Sequence, residues 1–270
     1  DIDILIHPRD SKRIKKIQVS LPKMVKLSLF RFQNVARGSA IKSVNRRGKI
    51  LIFDLDNRWS MLLHLKLSGR LIFRRITDEL RSEDTKWNHI IYYFTNGSRL
   101  FHNDLRQFGY VKLIKTKELP AFFKKEKLGP EPLEKTFTYP ELAAIFGKHP
   151  KTKIKQLLIN QQRVTGIGNI YSDEILFSAR VHPFRQIRTL SKNEVMAIYK
   201  SIKRVLLEAL KFRGSSIDLY LDASGVKGKY ALKLKVYGRE GQKCKRCGGI
   251  VSRQKMNGRS AHFCPKCQKT

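Results

Sequence analysis

Thr165-Gly166-Ile167-Gly168-Asn169-Ile170-Tyr171 is the stretch on which the reading of this chain turns. Its glycines let backbone come close to a ligand, and Asn169 can cap a helix running to Ala179. The free N–H groups at such a helix start make a ready anion site. Lys151, Lys153 and Lys155 lie just upstream and put cations beside the same notch. Taken alone, an ordinary helix hairpin with an asparagine cap competes with that reading.

Around this stretch the apolar period is helical. Glu141 to Phe146 and Lys153 to Asn160 read as short helices. Ser191 with Glu194 forms a capping box for a longer one, whose Val195, Ile198, Ile202, Val205, Leu206 and Ala209 recur at helical spacing. Gly214 to Gly228 is a polar, glycine-bearing loop too long for a simple connection. Upstream, Lys115 to Lys135 is charged and proline-bearing, with Leu128-Gly129-Pro130-Glu131-Pro132-Leu133, and reads as a linker. Before it the pattern is mostly strands: Val44–Arg47, Ile50–Asp56, Met61–Leu65, Ile90–Phe94 and Tyr110–Ile114, separated by turns at Gly48-Lys49, Asp56-Asn57 and Asn96-Gly97. Short strands of this kind predict a sandwich or flattened barrel.

The 270 residues hold 56 Lys and Arg against 22 Asp and Glu, a formal charge of +34 spread along the chain. A polyanion is the partner that makes such self-repulsion tolerable, with nucleic acid ahead of an anionic membrane. A basic surface inherited from genome composition is the bland alternative. Apolar runs such as Ser60 to Leu65 are far too short to span a bilayer. No cationic, apolar leader opens the sequence, so secretion is not expected. All four cysteines fall within the last 27 residues as Cys244-x2-Cys247-x16-Cys264-x2-Cys267. Two knuckle turns bearing four thiolates complete the tetrahedral shell of a structural Zn2+, with no open position for catalysis. Two disulfides are the competing arrangement, disfavoured in a reducing cytoplasm. Arg253, Lys255 and Arg259 lie between the pairs and suit a finger laid against phosphates.

Joined together, these residues resemble a known family. Asn160-Gln161-Gln162-Arg163-Val164-Thr165-Gly166-Ile167-Gly168-Asn169-Ile170-Tyr171-Ser172-Asp173-Glu174 is similar to the helix–two-turn–helix signature of the bacterial formamidopyrimidine-DNA glycosylases. Val236-Tyr237-Gly238-Arg239-Glu240-Gly241 and the cysteine hairpin resemble that family's C-terminal zinc finger. Arg46-Arg47-Gly48-Lys49, His64-Leu65-Lys66-Leu67-Ser68-Gly69, Asp104-Leu105-Arg106-Gln107-Phe108-Gly109 and Leu128 to Leu133 follow in the family's order, and together they cover nearly the whole chain. The expected architecture is α+β. A β-sandwich with a flanking helix spans 1–115 and a linker 116–135. A helix–two-turn–helix DNA-binding domain spans 136–235 and the zinc finger 236–270.

The resemblance implies a base-excision repair enzyme of the bacterial cytoplasm, acting as a monomer on damaged double-stranded DNA with one structural Zn2+. It removes oxidised purines (8-oxoguanine and formamidopyrimidines) and cleaves the abasic site that results. The alternatives are an endonuclease VIII-type enzyme for oxidised pyrimidines and a zinc-finger lesion-binding protein without chemistry. By position, Lys49 matches the lysine that contacts the phosphate beside the lesion and assists β-elimination; without the match it reads as a solvated hairpin lysine. Arg106 and Phe108 match the pair that fills the gap and wedges the stack. Leu67 stands where the family has an intercalating methionine. From the residues alone, core positions for Leu67 and Phe108 are the competing reading. His89, Lys151, Lys155 and Asn169 match positions that grip the DNA backbone, and Arg259 the finger arginine linked with δ-elimination. Gln107 replaces a second arginine, so one phosphate contact is expected to be weaker. The loop with Ser216, Tyr220 and Gly225 corresponds to the one that closes over an extruded 8-oxoguanine and favours oxidised purine.

One departure matters. The family begins Pro-Glu-Leu-Pro-Glu, where the terminal proline amine attacks C1′ of the damaged nucleotide and the glutamate acts as acid. This sequence begins Asp1-Ile2-Asp3-Ile4-Leu5-Ile6, and its first proline is Pro8. A chain lacking its first residues, a relative that binds without cutting, and a substitute nucleophile at the α-amine of Asp1 are the three readings. The first is the expectation. Asp1 is neither an initiator methionine nor a small residue left after its removal, and Ile2, Ile4 and Ile6 read as the tail of an apolar helix.

Overall fold

The computed structural model describes residues 13–215, 223 and 226–270. The expected helical tail at Ile2 to Ile6, and Ser216, Tyr220 and Gly225, lie outside the described residues. Two compact units divide the chain: residues 1–125 with 215–228, and residues 126–214 with 229–270.

The first unit is built on two four-stranded antiparallel sheets. Its strands are β1 (Ile14–Val19), β2 (Ile41–Arg47), β3 (Ile50–Leu55), β4 (Trp59–His64), β5 (Gly69–Arg74), β6 (Asn88–Phe94), β7 (Arg99–Asp104) and β8 (Tyr110–Lys115). They order as β1-β6-β7-β5 and β2-β3-β4-β8. One core is filled from both sheets by Ile17, Phe53, Met61, Leu63, Phe73, Tyr92, Phe94 and Val111, and helix α1 (Leu29–Ala36) adds Phe32 and Ala36. Ser28 caps that helix through its hydroxyl, which accepts from the Arg31 N–H at 3.3 Å. Burying each of the large side chains contributes about 1.5–3 kcal/mol. A short helix α2 (Ser82–Thr85) carries Asp84, whose carboxylate takes both arms of Arg74 at 2.8 and 2.6 Å.

Strands β2, β3, β4, β6 and β8 appear where the alternation predicts them, whereas β1, β5 and β7 escaped it. Strand β5 has buried arginines at Arg70 and Arg74, and β7 buries His102, Asn103 and Asp104. Polar residues facing inward break the pattern by which a half-buried strand is recognised. The expected linker also differs. Helix α3 (Leu119–Glu126) occupies its first half, and Leu119, Phe122 and Phe123 lay one apolar stripe on Ile50, Ile52 and Leu62, the outer face of the second sheet. The compact division accordingly falls after Lys125 rather than at 115.

The second unit is helical: α4 (Tyr139–Gly147), α5 (Ile154–Ile159), α6 (Asn169–Ser178) and α7 (Lys192–Lys211) surround Phe146, Leu157, Leu158, Ile175, Ile198 and Ile202. The capping box closes as predicted, Ser191 accepting from the Glu194 N–H and Glu194 from the Ser191 N–H. Asn169 is the first residue of α6 and not its cap. Gly168, in extended backbone, fills the cap position, and its carbonyl accepts the first helical bond from Ser172. Glu174 then holds the chain entering the finger, its buried carboxylate accepting from the N–H groups of Lys235, Val236 and Tyr237 at 2.9 Å. The finger is a hairpin of β9 (Ser252–Met256) and β10 (Arg259–Phe263), turned by Asn257 and Gly258 at positive φ. No helix among the described residues is long and apolar enough to cross a membrane.

Candidate functional site

In the first unit, Gly48-Lys49 is the two-residue turn between β2 and β3. Gly48 sits at φ 60°, a conformation natural to glycine. Lys49 beside it is exposed. On β4, His64 is held down at about 4, first by burial and then by the charges of Lys66 and Lys49. The lysine therefore acts across the turn on an imidazole that is neutral at pH 7.

The β4–β5 loop carries Leu67, 70% exposed, and the β7–β8 loop carries Phe108, 55% exposed. Neither is core. Arg106 is exposed as well, with its guanidinium 5.2 Å from the centre of the Phe108 ring. Both loops meet one buried carboxylate at the end of β7. Asp104 accepts the Ser68 hydroxyl at 2.5 Å on Oδ1 and the Gly109 N–H at 2.6 Å on Oδ2. Ser68 Oγ in turn accepts the Arg106 N–H at 2.9 Å. His89, expected at the DNA backbone, is half-buried and donates from Nε2 to the Asp104 carbonyl at 2.9 Å. Beneath them His102 is fully buried, its ring nitrogens have no partner among the described residues, and burial holds its pKa at about 4.

In the second unit, Gln161 shapes the turn ahead of α6. Its amide donates to the carbonyls of Ile159 and Ile167 at 2.9 and 2.8 Å and accepts the Gly166 N–H at 2.9 Å. Gly166, at φ 87°, supplies the left-handed residue this turn needs. Among the described residues no side chain caps α6, and Thr165 Oγ1 and Asn169 Oδ1 are buried without a partner. Lys151 is exposed nearby, whereas the Lys153 ammonium lies 5.2 Å from the ring of Phe184.

Lys155 requires a correction. It was expected to grip a phosphate, yet it has no exposed surface. Its ammonium donates to Asp173 Oδ1 at 2.5 Å and to the Ser260 carbonyl at 2.7 Å. Burial lowers its pKa, and Asp173 opposes that shift. Asp173 Oδ2 also accepts the His262 N–H at 2.9 Å. The lysine thus ties α5 and α6 to β10, in the residue next to Arg259. Arg259 itself opens β10 after the turn and is exposed.

The four cysteine sulfurs lie within 4.8 Å of one another, with Cys244–Cys267 at 3.9 Å and Cys247–Cys264 at 3.5 Å. A zinc ion bonded to four sulfurs at about 2.3 Å needs sulfur–sulfur edges of about 3.8 Å, so Cys244, Cys247, Cys264 and Cys267 fit one structural Zn2+ with no open position. The Gln268 side chain anchors this knuckle, accepting the Cys264 N–H and donating to the Val181 carbonyl, both at 2.9 Å.

Sequence reading passed over Asp104, Ser68, Gln161 and Asp173 as working residues. All four sit inside motifs already quoted for their neighbours. The need of Asp173 for a partner shows only in the structure, where Ser172 to Phe177 are all buried.

Comparison with known proteins joins these parts. Residues 6–111 match the family model described as the formamidopyrimidine-DNA glycosylase N-terminal domain, residues 128–220 its H2TH domain, and residues 241–270 a zinc finger found in FPG and IleRS. A formamidopyrimidine-DNA glycosylase of Heliobacterium modesticaldum is 40% identical over 257 residues, covering 95% of this chain and 92% of that protein. The complex of Lactococcus lactis Fpg with DNA containing an abasic site superposes with a TM-score of 0.88 at 34% identity, covering 96% of this chain and 93% of that one. The complex of the same organism's Fpg with Fapy-dG containing DNA gives 0.87 at 33% identity, covering 96% and 94%.

Proposed function

The chain belongs to the formamidopyrimidine-DNA glycosylase family and is a base-excision DNA glycosylase; from that premise we propose that it removes oxidised purines from duplex DNA, cleaves the abasic site it leaves, and acts as a monomer in the bacterial cytoplasm. The observation that carries the proposal is the exposed trio Leu67, Arg106 and Phe108, held on two loops stitched by Asp104. Large apolar side chains kept in water by buried hydrogen bonds need an apolar destination. An opened base stack is one.

Extruding a damaged nucleotide leaves a gap, and a side chain that enters it offsets part of the unstacking cost. Leu67 is the plug, Phe108 the wedge, and Arg106 fills the space beside them. Lys49 holds the phosphate next to the lesion and stabilises the negative charge that develops during β-elimination. The Arg259 guanidinium does the same for the second elimination. Lys151 and the uncapped start of α6 at Asn169 bind backbone phosphates. Lys155 works from inside, fixing the strand that bears Arg259. Bound Zn2+ supplies the fold of that hairpin. In the family an N-terminal proline amine attacks C1′, and no residue of this sequence is matched to it. The segment with Ser216, Tyr220 and Gly225 is proposed to cover the extruded purine.

Duplexes carrying 8-oxoguanine, thymine glycol or no lesion test the reading. The expected result is preferential binding of the 8-oxoguanine duplex, with excision and borohydride trapping of a covalent adduct by the protein that carries the family's Pro-Glu-Leu-Pro-Glu start. Preference for thymine glycol would make the protein endonuclease VIII-type. Lesion binding with neither excision nor trapping would make it a binding protein.

A further inference from the structure

We propose that Asp104 is a positioning residue that makes the Leu67 loop and the Phe108 loop enter DNA as one body, an inference that rests on the wedge reading above. Each arm of its carboxylate holds the residue next to an exposed apolar side chain. Oδ1 holds Ser68, beside Leu67, and Oδ2 holds Gly109, beside Phe108. Both arms end on a carboxylate, the acceptor that makes the stronger, charge-assisted hydrogen bonds. Ser68 closes the link, since its oxygen also accepts the Arg106 N–H.

The backbone that bears the carboxylate is pinned. The Asp104 N–H donates to the Trp87 carbonyl at 3.1 Å, and the Asp104 carbonyl accepts from Gln107 N–H at 3.2 Å and His89 Nε2 at 2.9 Å. Gly109 leaves no slack: a Cβ there would lie 2.9 Å from Asp104 Oδ2 and 3.2 Å from the His64 carbonyl oxygen. Moving either loop alone therefore exposes a fully buried anion to a lost hydrogen bond. Held at one fixed point, the two loops meet the DNA as one body.

The test uses the full chain and its binding to duplexes with an abasic-site analogue or no lesion, with 2-aminopurine beside the site to report unstacking. S68A, which removes one arm, is expected to lower the lesion-over-intact preference and the 2-aminopurine signal about tenfold, and D104A, which removes both, by at least as much. Intact-duplex affinity and its salt dependence stay as in the wild type. D104N should recover much of the loss, because an amide can accept from Gly109 with its oxygen and donate to Ser68 with its nitrogen. L67A and F108A should be non-additive in the wild type and additive in D104A, since the link alone makes them one unit. Should D104A fail to fold, S68A and D104N carry the comparison. If F108A impairs discrimination while D104A and S68A do not, or if L67A and F108A add in the wild type, the coupling is wrong and the wedge reading survives. If F108A has no effect, the wedge reading falls and this inference with it.

Discussion

Asp104 in the first unit and Asp173 in the second are both buried carboxylates that tie together segments far apart in sequence, but they are paid in different charges. Asp104 is satisfied by a hydroxyl and a backbone N–H, and what it holds at the surface is apolar: Leu67 and Phe108. Asp173 is satisfied by an ammonium and a His262 N–H, and what it holds at the surface is a cation, Arg259. Where the surface must enter a base stack, the anchor beneath uses neutral donors. Where the surface must meet phosphate, a lysine is consumed inside to aim an arginine outside. Counting basic residues therefore overstates phosphate contacts.

The comparison breaks most visibly if the metal is removed. Structural zinc in finger peptides is worth about 10–16 kcal/mol of apparent binding energy. Cys264→Ser or chelation should therefore disorder the hairpin with Arg259, lower DNA affinity at least about tenfold, and leave the sandwich folded. Elemental analysis of the fresh protein should find one zinc per chain. Asp173→Ala comes next. It strands Lys155 in the interior and should cost about 3–5 kcal/mol in denaturant unfolding. An equal loss from Asp104→Ala in the first unit would erase the distinction drawn between the two anchors.

Acid sharpens the contrast further. His64 and His102 have folded values near 4 against 6.5 in the unfolded chain, so the unfolded state binds more protons between those pH values. Their stabilising effect is present above pH 6.5 and is lost as pH falls to 4. For buried His102 that loss is about 3 kcal/mol at most. H102N should flatten the pH dependence of thermal unfolding in that window, whatever it does to absolute stability. The smallest effect is in salt. Lys49→Ala and Lys151→Ala should each flatten the log–log salt dependence of DNA binding by about one counterion. Lys155→Met should leave that slope unchanged while altering stability. A slope change at Lys155 would return it to the phosphate contacts and undo the division between inner and outer cations.

Much of the site was legible because it is local. The cysteine spacing, the Gly48-Lys49 turn and the capping box at Ser191 are each set by residues a few positions apart. Exposure was not. Nothing local distinguishes Leu67 and Phe108 from core side chains until Asp104 is seen to hold their loops open to water. Lys155 is the clearest miss: its positive charge is plain in sequence, but its burial depends on Asp173, 18 positions on, and on the carbonyl of Ser260, 105 positions on. Helix α3 was hidden by composition. Its Lys, Glu and Pro residues read as a connection, although Leu119, Phe122 and Phe123 already had the spacing of one helical face.

Lys155 also gives this chain a built-in chemical reporter. Amine-reactive reagents acylate exposed lysines at once, and Lys151, four positions earlier, is one of them. The Lys155 amine becomes available only when the interior of the helical unit opens to solvent. Its acylation rate, divided by that of Lys151 in the same peptide map, measures how often this opening occurs under native conditions. Bound DNA should slow the labelling of Lys151 by covering it. It should slow Lys155 only to the extent that binding stabilises the closed unit, so one experiment separates contact from stabilisation.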